Sequence, residues 1–494
     1  MPSNLLLPAI VLAAVAYLIK AFYSANTSAL STLPGPWYSK YTNIVLRYHI
    51  LTGRRIFYVD ALHQRYGGVV RIAPREVAVS DISGIAKIHK IGSGFLKSEF
   101  YQNLTPTREP GIFAMQDPHA HAARRRLFAR AFSNSNLKTN WESEVRSKAE
   151  LAVQKIKQDA VGSAKGADVL KWWTLMATDV IAHLSFGESF HMLELGKQTG
   201  YIDALQAALL SGVLRAELPL VHTLLRYIPT ERIQKIVTAD DVVFEYGALA
   251  IRNMRQGVGN AMNLFGQMVA ASDSQEKASL RDEDVRTEAG NLIIAGSDTT
   301  AVTLTYLVWA VLNQPQLQAD LEREIASLSA DLTLSELEDA PLLNSILDEV
   351  LRLYGAAPGA LPRIVPSQGL SVNGFHIPEG VEVSTQAYTN HRDSSIFPNA
   401  LQFDGRRFLD KTTMTSQQKA AFMPFGGGSR VCIGLHLAWM ELRLGAALFF
   451  RHCRGATLSS CMSDDMMEMD NRFLISPKGH CCYIRVEKGG QEEA

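Results

Sequence analysis

The chain has 494 residues, 47% hydrophobic and 20% charged, and its 49 Lys+Arg balance its 49 Asp+Glu to a formal net charge of zero. That length suits one large domain or about three average ones, with ample apolar material for a core. No basic excess marks a nucleic-acid surface, and the five cysteines, Cys432, Cys453, Cys461, Cys481 and Cys482, cluster late in the chain, unlike a disulfide framework spread through a secreted fold. A reducing compartment is expected, and with no C-x-x-C-H, covalent haem attachment of the c type is not indicated.

In chain order, Leu5–Ile19 is uncharged and almost wholly apolar, and it extends past Lys20 to Tyr23. That approaches the ~20 residues a membrane-spanning helix needs. A cleaved signal peptide looks similar, but usually carries a basic residue ahead of its apolar run, and none stands here. Lys20, Lys40, Arg47, Arg54 and Arg55 precede the first acid, Asp60, so the positive-inside rule leaves the bulk of the chain in the cytoplasm. The expected organisation is an anchor over residues 1–24, a hinge over 25–40 stiffened by Pro34, Gly35 and Pro36, and one domain over 41–494. Gly67–Asp81 reads as a strand pair, as does Leu370–Thr385 around Gly374 and the Pro378-Glu379-Gly380 turn. Between about Asn136 and Leu353 helical periodicity dominates, with breaks at Pro219, Pro229 and Ser272–Lys277. The fold class expected is mainly α with small β-sheets.

Three helical segments carry unusual polar residues. His121 and Arg125 lie four apart in HAHAARRRLFARAFS and share a face, while Arg124, Arg126 and Arg130 form either a basic docking patch or a plain solvated face. Residues 291–312 are apolar except for AGSDTT, Ala295–Thr300, where small residues leave room and a threonine can bond back four residues and open the ladder. Read alone, this is either a ligand-admitting gap or a polar notch in a core helix. Glu349 and Arg352 stand at i and i+3. Apolar neighbours nearly all round argue for a buried pair needing a third partner over a surface ion pair.

The segment Phe425–Gly434, FGGGSRVCIG, is the most informative. It sets Cys432 on a glycine-rich loop, two residues after Arg430 and just before a helical stretch. Unpaired N–H groups and the positive helix end there, together with Arg430, are expected to lower the thiol pKa and favour a thiolate. The glycines let a flat bulky group lie against the backbone. One cysteine is too few for zinc or an iron–sulfur cluster, whereas a single axial thiolate suits a haem iron that splits an O–O bond. A buried structural cysteine is the plain alternative.

Phe425, Gly428, Arg430, Cys432 and Gly434 match F-x-x-G-x-R-x-C-x-G without departure, and the chain here resembles the cytochrome P-450 family of haem-thiolate monooxygenases. AGSDTT and Glu349-x-x-Arg352 match two further family motifs in the family's order. The resemblance implies haem b (iron protoporphyrin IX) with Cys432 as its sole protein ligand and Phe425 beside it. It also implies His121, Arg125, Arg363 and Arg430 at the propionates, and proton delivery by Asp298 and Thr299. Arg407, in FDGRRF, is implied as the structural partner of Glu349 and Arg352. His121 departs from the frequent Trp, and Gly405 from the usual Pro. The implied partners are O2, an NADPH–cytochrome P-450 reductase, a lipophilic small molecule and the endoplasmic reticulum membrane. LPGPW, FGESF, TQAYTNHRD and the cysteine segment look most like fungal members of secondary metabolism, with a polyketide mycotoxin intermediate as the suggested substrate. Desaturation, ring rearrangement and oxidative coupling on the same fold stay open, as does a non-catalytic haem binder or sensor, which would not need the Asp298–Thr299 pair. Tyr101–Gln116, Ala295, Ala357–Leu361 and Asn471–Pro477 are the expected substrate lining.

Overall fold

The computed structural model of the protein describes residues 12, 15, 16, 19, 20, 22, 23, 25–105, 110–197, 200–245, 263–273 and 281–487. Six helices position the site: α1 (Pro118–Ala129), α2 (Asn134–Gly162), α3 (Val169–Phe186), α4 (Asp282–Leu312), α5 (Pro341–Tyr354) and α6 (Leu435–His452). Their starts are set locally. The Asp117 carboxylate accepts from Ala120 N at 2.6 Å and Pro118 takes the first turn of α1, and Ser133 and Asp168 cap α2 and α3 in the same way. Helix α3 stops at Gly187, whose φ of +79° suits a residue without Cβ.

Helix α3 is apolar on nearly every face and correspondingly buried, so it is the hub of the core. Helix α4 packs on it at Gly296, where a Cβ would stand 2.7 Å from Ile181 Cγ1. Helix α6 approaches α4 at Gly445, where a Cβ would stand 2.9 Å from Leu304 Cδ1. Small residues thus let three helices close on one another, and Gly296 in AGSDTT serves this packing as well as any ligand. Among the described residues α4 is the one helix long and apolar enough to cross a membrane, but 67% of its most apolar stretch is buried, as in a core helix.

The main sheet runs β1 (Val69–Ala73), β2 (Glu76–Val79), β3 (Leu96–Lys97), β4 (Arg363–Ile364) and β5 (Glu382–Ser384), in the order β1-β2-β5-β4-β3. Only β2 and β5 pair in parallel. The strands expected in Gly67–Asp81 and Leu370–Thr385 are present, the latter as a hairpin, Leu370–Val372 with Phe375–Ile377, followed by β5. Two-residue β3 and β4 and the hairpin Met469–Arg472/Leu474–Pro477 were not expected; they are too short to show alternation. Pro219 opens a helix, Pro219–Leu225, and Pro229 precedes another, Glu231–Val237. The third expected break falls where helix Leu264–Asp273 ends, and its residues from 274 on lie outside the described residues.

The anchor expected over Leu5–Tyr23 lies largely outside the described residues. Its described members Leu12, Val15, Ile19, Phe22 and Tyr23 are helical and exposed. The expected hinge is packed against the globule from Leu30 onward. Leu30 and Leu33 join the apolar cluster of β1, β2 and β5, and Arg71 N donates to Pro34 O at 2.8 Å.

Candidate active site

A cavity of about 990 Å³ lies between α4, the loop before α6, and the segments around Tyr101, Arg363 and Phe473. One wall is the cysteine loop. Gly428, at φ +64°, passes so close to the His89 carbonyl that a Cβ would lie 2.0 Å from its oxygen. Cys432 N donates to Phe425 O at 2.9 Å and closes the loop. A Cβ on Gly434 would meet nothing within 4 Å, so the backbone beside the thiol offers a flat open face. Phe425, Gly426, Gly427 and Cys432 all line the cavity. The sulfur is accessible, but its access is to this cavity, deep in the protein.

That depth reverses one expectation. Burial raises the Cys432 thiol above its ordinary value, and this outweighs the lowering by the Gly434 N–H and by Arg125. The cation beside the thiol is Arg125, whose Nη1 donates to Val431 O at 2.8 Å. Arg430 turns away and donates to the Met115 and Gln116 carbonyls at 2.7 and 3.1 Å. A buried thiol of this kind ionises readily only against an added positive charge, which a bound metal ion provides.

Lys97, His121, Arg125, Arg363 and Arg430 all line the same cavity. Burial and mutual repulsion push His121 down to about 3, Arg430 down to about 10, and Lys97 well below its ordinary range. Among the described residues no carboxylate pairs with them directly: Lys97 donates to Phe113 O and lies over the Tyr101 and Phe113 rings at 4.1 and 4.4 Å. Arg363 Nη1 and the Tyr101 hydroxyl are buried without a hydrogen-bond partner. Concentrated positive charge and orphaned donors at one rim, with a thiol and glycine backbone on the wall, fit a flat porphyrin with two carboxylates and a central metal ion. The presence of Lys97 and the Tyr101 hydroxyl in this cluster was not legible in the sequence, because a lone Lys in a two-residue strand carries no periodic signal.

On α4, Ala295 and Thr299 line the cavity, whereas Asp298 does not. Thr299 Oγ1 donates back to Ala295 O at 2.7 Å, yet the helix runs unbroken, so the expected opening is not a break in helical structure. Burial alone pushes the Asp298 carboxyl up to about 6. A second acid escaped the sequence reading: Glu441 on α6 lines the cavity, is 1% exposed, bonds Thr300 and is pushed by burial up to about 8. Its place four residues after buried Leu437 and three before buried Leu444 was the available signal.

Glu349, Arg352 and Arg407 meet behind the cysteine loop. Glu349 accepts twice from Arg352 at 2.7 Å and from Arg407 Nε at 3.0 and 3.1 Å. Arg352 also donates to the His391 and Ala400 carbonyls, and the His391 ring accepts from Met423 N at 3.0 Å, two residues before Phe425. The network therefore holds the approach to the cysteine loop and does not touch the cavity. Gly405 stands where a Cβ would lie 2.6 Å from Leu317 Cδ2, which accounts for the missing proline. The basic patch loses a member: Arg124 pairs with Asp284 and Glu288 at 2.8 Å, tying α1 to α4, while Arg126 and Arg130 are exposed. All four expected lining segments contribute to the cavity, through Tyr101, Ala295, Leu361 and Phe473 among others.

The fold and site fit a haem-binding oxidoreductase, and the sequence comparisons agree. The cytochrome P-450 family model matches residues 34–482. Cytochrome P-450 monooxygenase tazI of Aspergillus terreus is 40% identical over 97% of this chain and 98% of its own length. Cytochrome P-450 monooxygenase stcB of Emericella nidulans is 39% identical over 94% and 90%, and cypX of Dothistroma septosporum 37% over 95% and 93%. The chain belongs to the cytochrome P-450 family. It is a haem-iron monooxygenase that uses O2, electrons from a redox partner and a small-molecule substrate.

Proposed function

We propose that the chain binds haem b through Cys432, with its propionates among Lys97, His121, Arg125, Arg363 and Arg430, and oxidises a lipophilic secondary metabolite. The observation that carries this reading is the cluster of cations and the deep thiol on one cavity. Bound there, the haem supplies the two-electron activation of O2 needed to oxidise an unreactive C–H bond. The balance is one C–H bond, one O2, two electrons and two protons in, and one C–OH and one water out. The protein's task is to bring in the protons and keep other water out. Thr299, on the cavity wall, presents a hydroxyl where protons are consumed, and Asp298, one residue away, resupplies it. Glu349, Arg352 and Arg407 hold the loop and take no part in the chemistry.

Electrons come from an NADPH–cytochrome P-450 reductase, for which exposed Arg126 and Arg130 offer positive charge. The exposed apolar residues between Leu12 and Tyr23 support an endoplasmic reticulum anchor with the globule in the cytosol. The relatives are fungal, and one, 33% identical over 75% of this chain, is the methylphloroacetophenone oxidase of Cladonia uncialis, whose named substrate is a phenolic aryl ketone. An aromatic polyketide suits the apolar lining by Phe113, Phe244 and Phe473. The test is to reconstitute the full chain with the reductase under ¹⁸O2 and aromatic polyketide substrates. One labelled oxygen per product is expected. A product lighter by two hydrogens and without label would replace insertion by desaturation.

A further inference from the structure

The five cysteines stand in three environments. Cys453 and Cys482 are buried in the apolar core. Cys432 opens into the cavity. Cys461 is exposed and Cys481 half-buried, so these two are the thiols that meet outer solvent. Strand register brings them together. Thr457–Leu458 and Tyr483–Arg485 pair antiparallel with Leu458 opposite Ile484, and Ser459 N donates to Tyr483 O at 2.9 Å. Followed two residues further, this register sets Cys461 opposite Cys481. Opposite residues of antiparallel strands have Cα atoms about 4.5–5.5 Å apart, within the span a disulfide bridges. Alternation turns Cys482 to the core and Cys481 to the face of Tyr483. Past Ser459 the chain makes a surface turn, with Met462 N donating to Ser459 O at 2.9 Å, and the Cys461 thiol rests on Ser459 Oγ at 3.4 Å. Both thiols are free. Burial raises the Cys481 thiol, and Asp168 and a thiolate at Cys461 add to the rise, so the two sulfurs are near enough to repel as anions.

The segment they enclose reaches the cavity. Residues 462–480 carry the hairpin whose turn residue Phe473, with Leu474, lines its wall, and Met467 O accepts from the Tyr306 hydroxyl on α4 at 3.1 Å. We propose that Cys461 and Cys481 are a redox-modifiable pair that closes to a reversible disulfide at the base of this loop and staples one wall of the cavity. The oxidant is hydrogen peroxide, the product of two-electron reduction of O2 without oxygen transfer. The exposed Cys461 reacts first: its thiolate attacks one peroxide oxygen, the O–O bond breaks, and hydroxide leaves and is protonated to water, giving a sulfenic acid. The Cys481 thiolate then attacks that sulfur, the S–S bond forms, the S–O bond breaks, and a second water leaves. Two thiols lose two electrons and two protons, and one peroxide becomes two waters. Thiol exchange in a reducing compartment reopens the bridge.

The test treats the purified, pre-reduced full-length holoenzyme with hydrogen peroxide, or with glutathione disulfide, which accepts the same two electrons. The chain is then alkylated, digested without reduction and mapped by mass spectrometry. The expected product is one peptide pair joined through Cys461 and Cys481, two hydrogens lighter than its free halves and released by dithiothreitol. The oxidised parent should gain a few degrees in apparent Tm, since a cross-link restricts the unfolded chain, and lose that gain on reduction. Cys461→Ser and Cys481→Ser should each keep the haem spectrum and show neither the cross-link nor the gain. A cross-link retained in either variant, one formed through Cys453 or Cys482 or between two copies of the chain, or none with either oxidant would overturn the pair. A cross-linked parent with unchanged Tm would overturn the staple.

Discussion

Thr299 and Asp298 are adjacent in sequence but face different surroundings, one the cavity and the other the interior beyond its wall. A relay between them needs Asp298 to carry a proton, and its carboxyl, pushed up to about 6 by burial, does so below that pH and loses it above. Product formed per NADPH consumed should therefore fall as pH rises through about 6, and Asp298→Asn should slow turnover and flatten that dependence. Thr299→Ala should keep the haem spectrum and divert electrons to hydrogen peroxide, with product formation down by on the order of 10²-fold. Two variants coupling like the parent would reduce the motif to a packing feature. The sequence made this pair and Cys432 legible, because each sits in a dense motif. It misled on the thiol pKa, because loop and helix dipole are local, whereas the burial that dominates comes from the folded cavity. It missed Lys97 and Tyr101 for the same reason: their convergence on Arg363 and Arg430 exists only in three dimensions.

Helix α6 carries a second pH-sensitive acid into the core. Glu441 has a folded pKa of about 8 against an ordinary 4.5, so the native state binds its proton more tightly than the unfolded state does. The associated stability is complete below pH 4.5 and is lost as pH rises to about 8, a change on the order of 3–5 kcal/mol. Glu441→Gln, which mimics the neutral acid, should match the parent near pH 5 and exceed it at pH 8 by roughly a few degrees in apparent Tm. Equal pH slopes in both proteins would contradict this. On α5 Glu349 pairs with both Arg352 and Arg407. Glu349→Ala strands the buried Arg352 guanidinium and leaves the partly buried Arg407 without its carboxylate, at a cost of roughly 3–5 kcal/mol, and should leave little folded holoprotein, read as haem content per chain. Helix α4 was legible from its long apolar run and α5 from its one-sided apolar periodicity. Strands β3 and β4 were not, since two residues have no period, and they form only because β5 supplies an edge.

The whole molecule joins a globule whose core is closed by α3, α4 and α6 to an N-terminal helix on which Leu12, Val15, Ile19, Phe22 and Tyr23 are exposed and Ala25 is buried. Removing residues through 25 should weaken membrane attachment and leave haem loading unchanged, because the packing against the sheet starts at Leu30. Recovery of a secreted chain lacking this segment would show a signal peptide instead. The size of the cavity, the cations at one rim and the cysteine loop held through Met423 and His391 fit the arrangement proposed above, a porphyrin with Cys432 as its ligand. The most direct test is the reduced carbon monoxide difference spectrum of the purified full chain and of Cys432→Ser. A thiolate-type band in the parent that is lost in the variant is the expected result, and a thiolate-type band unchanged in Cys432→Ser would contradict the account.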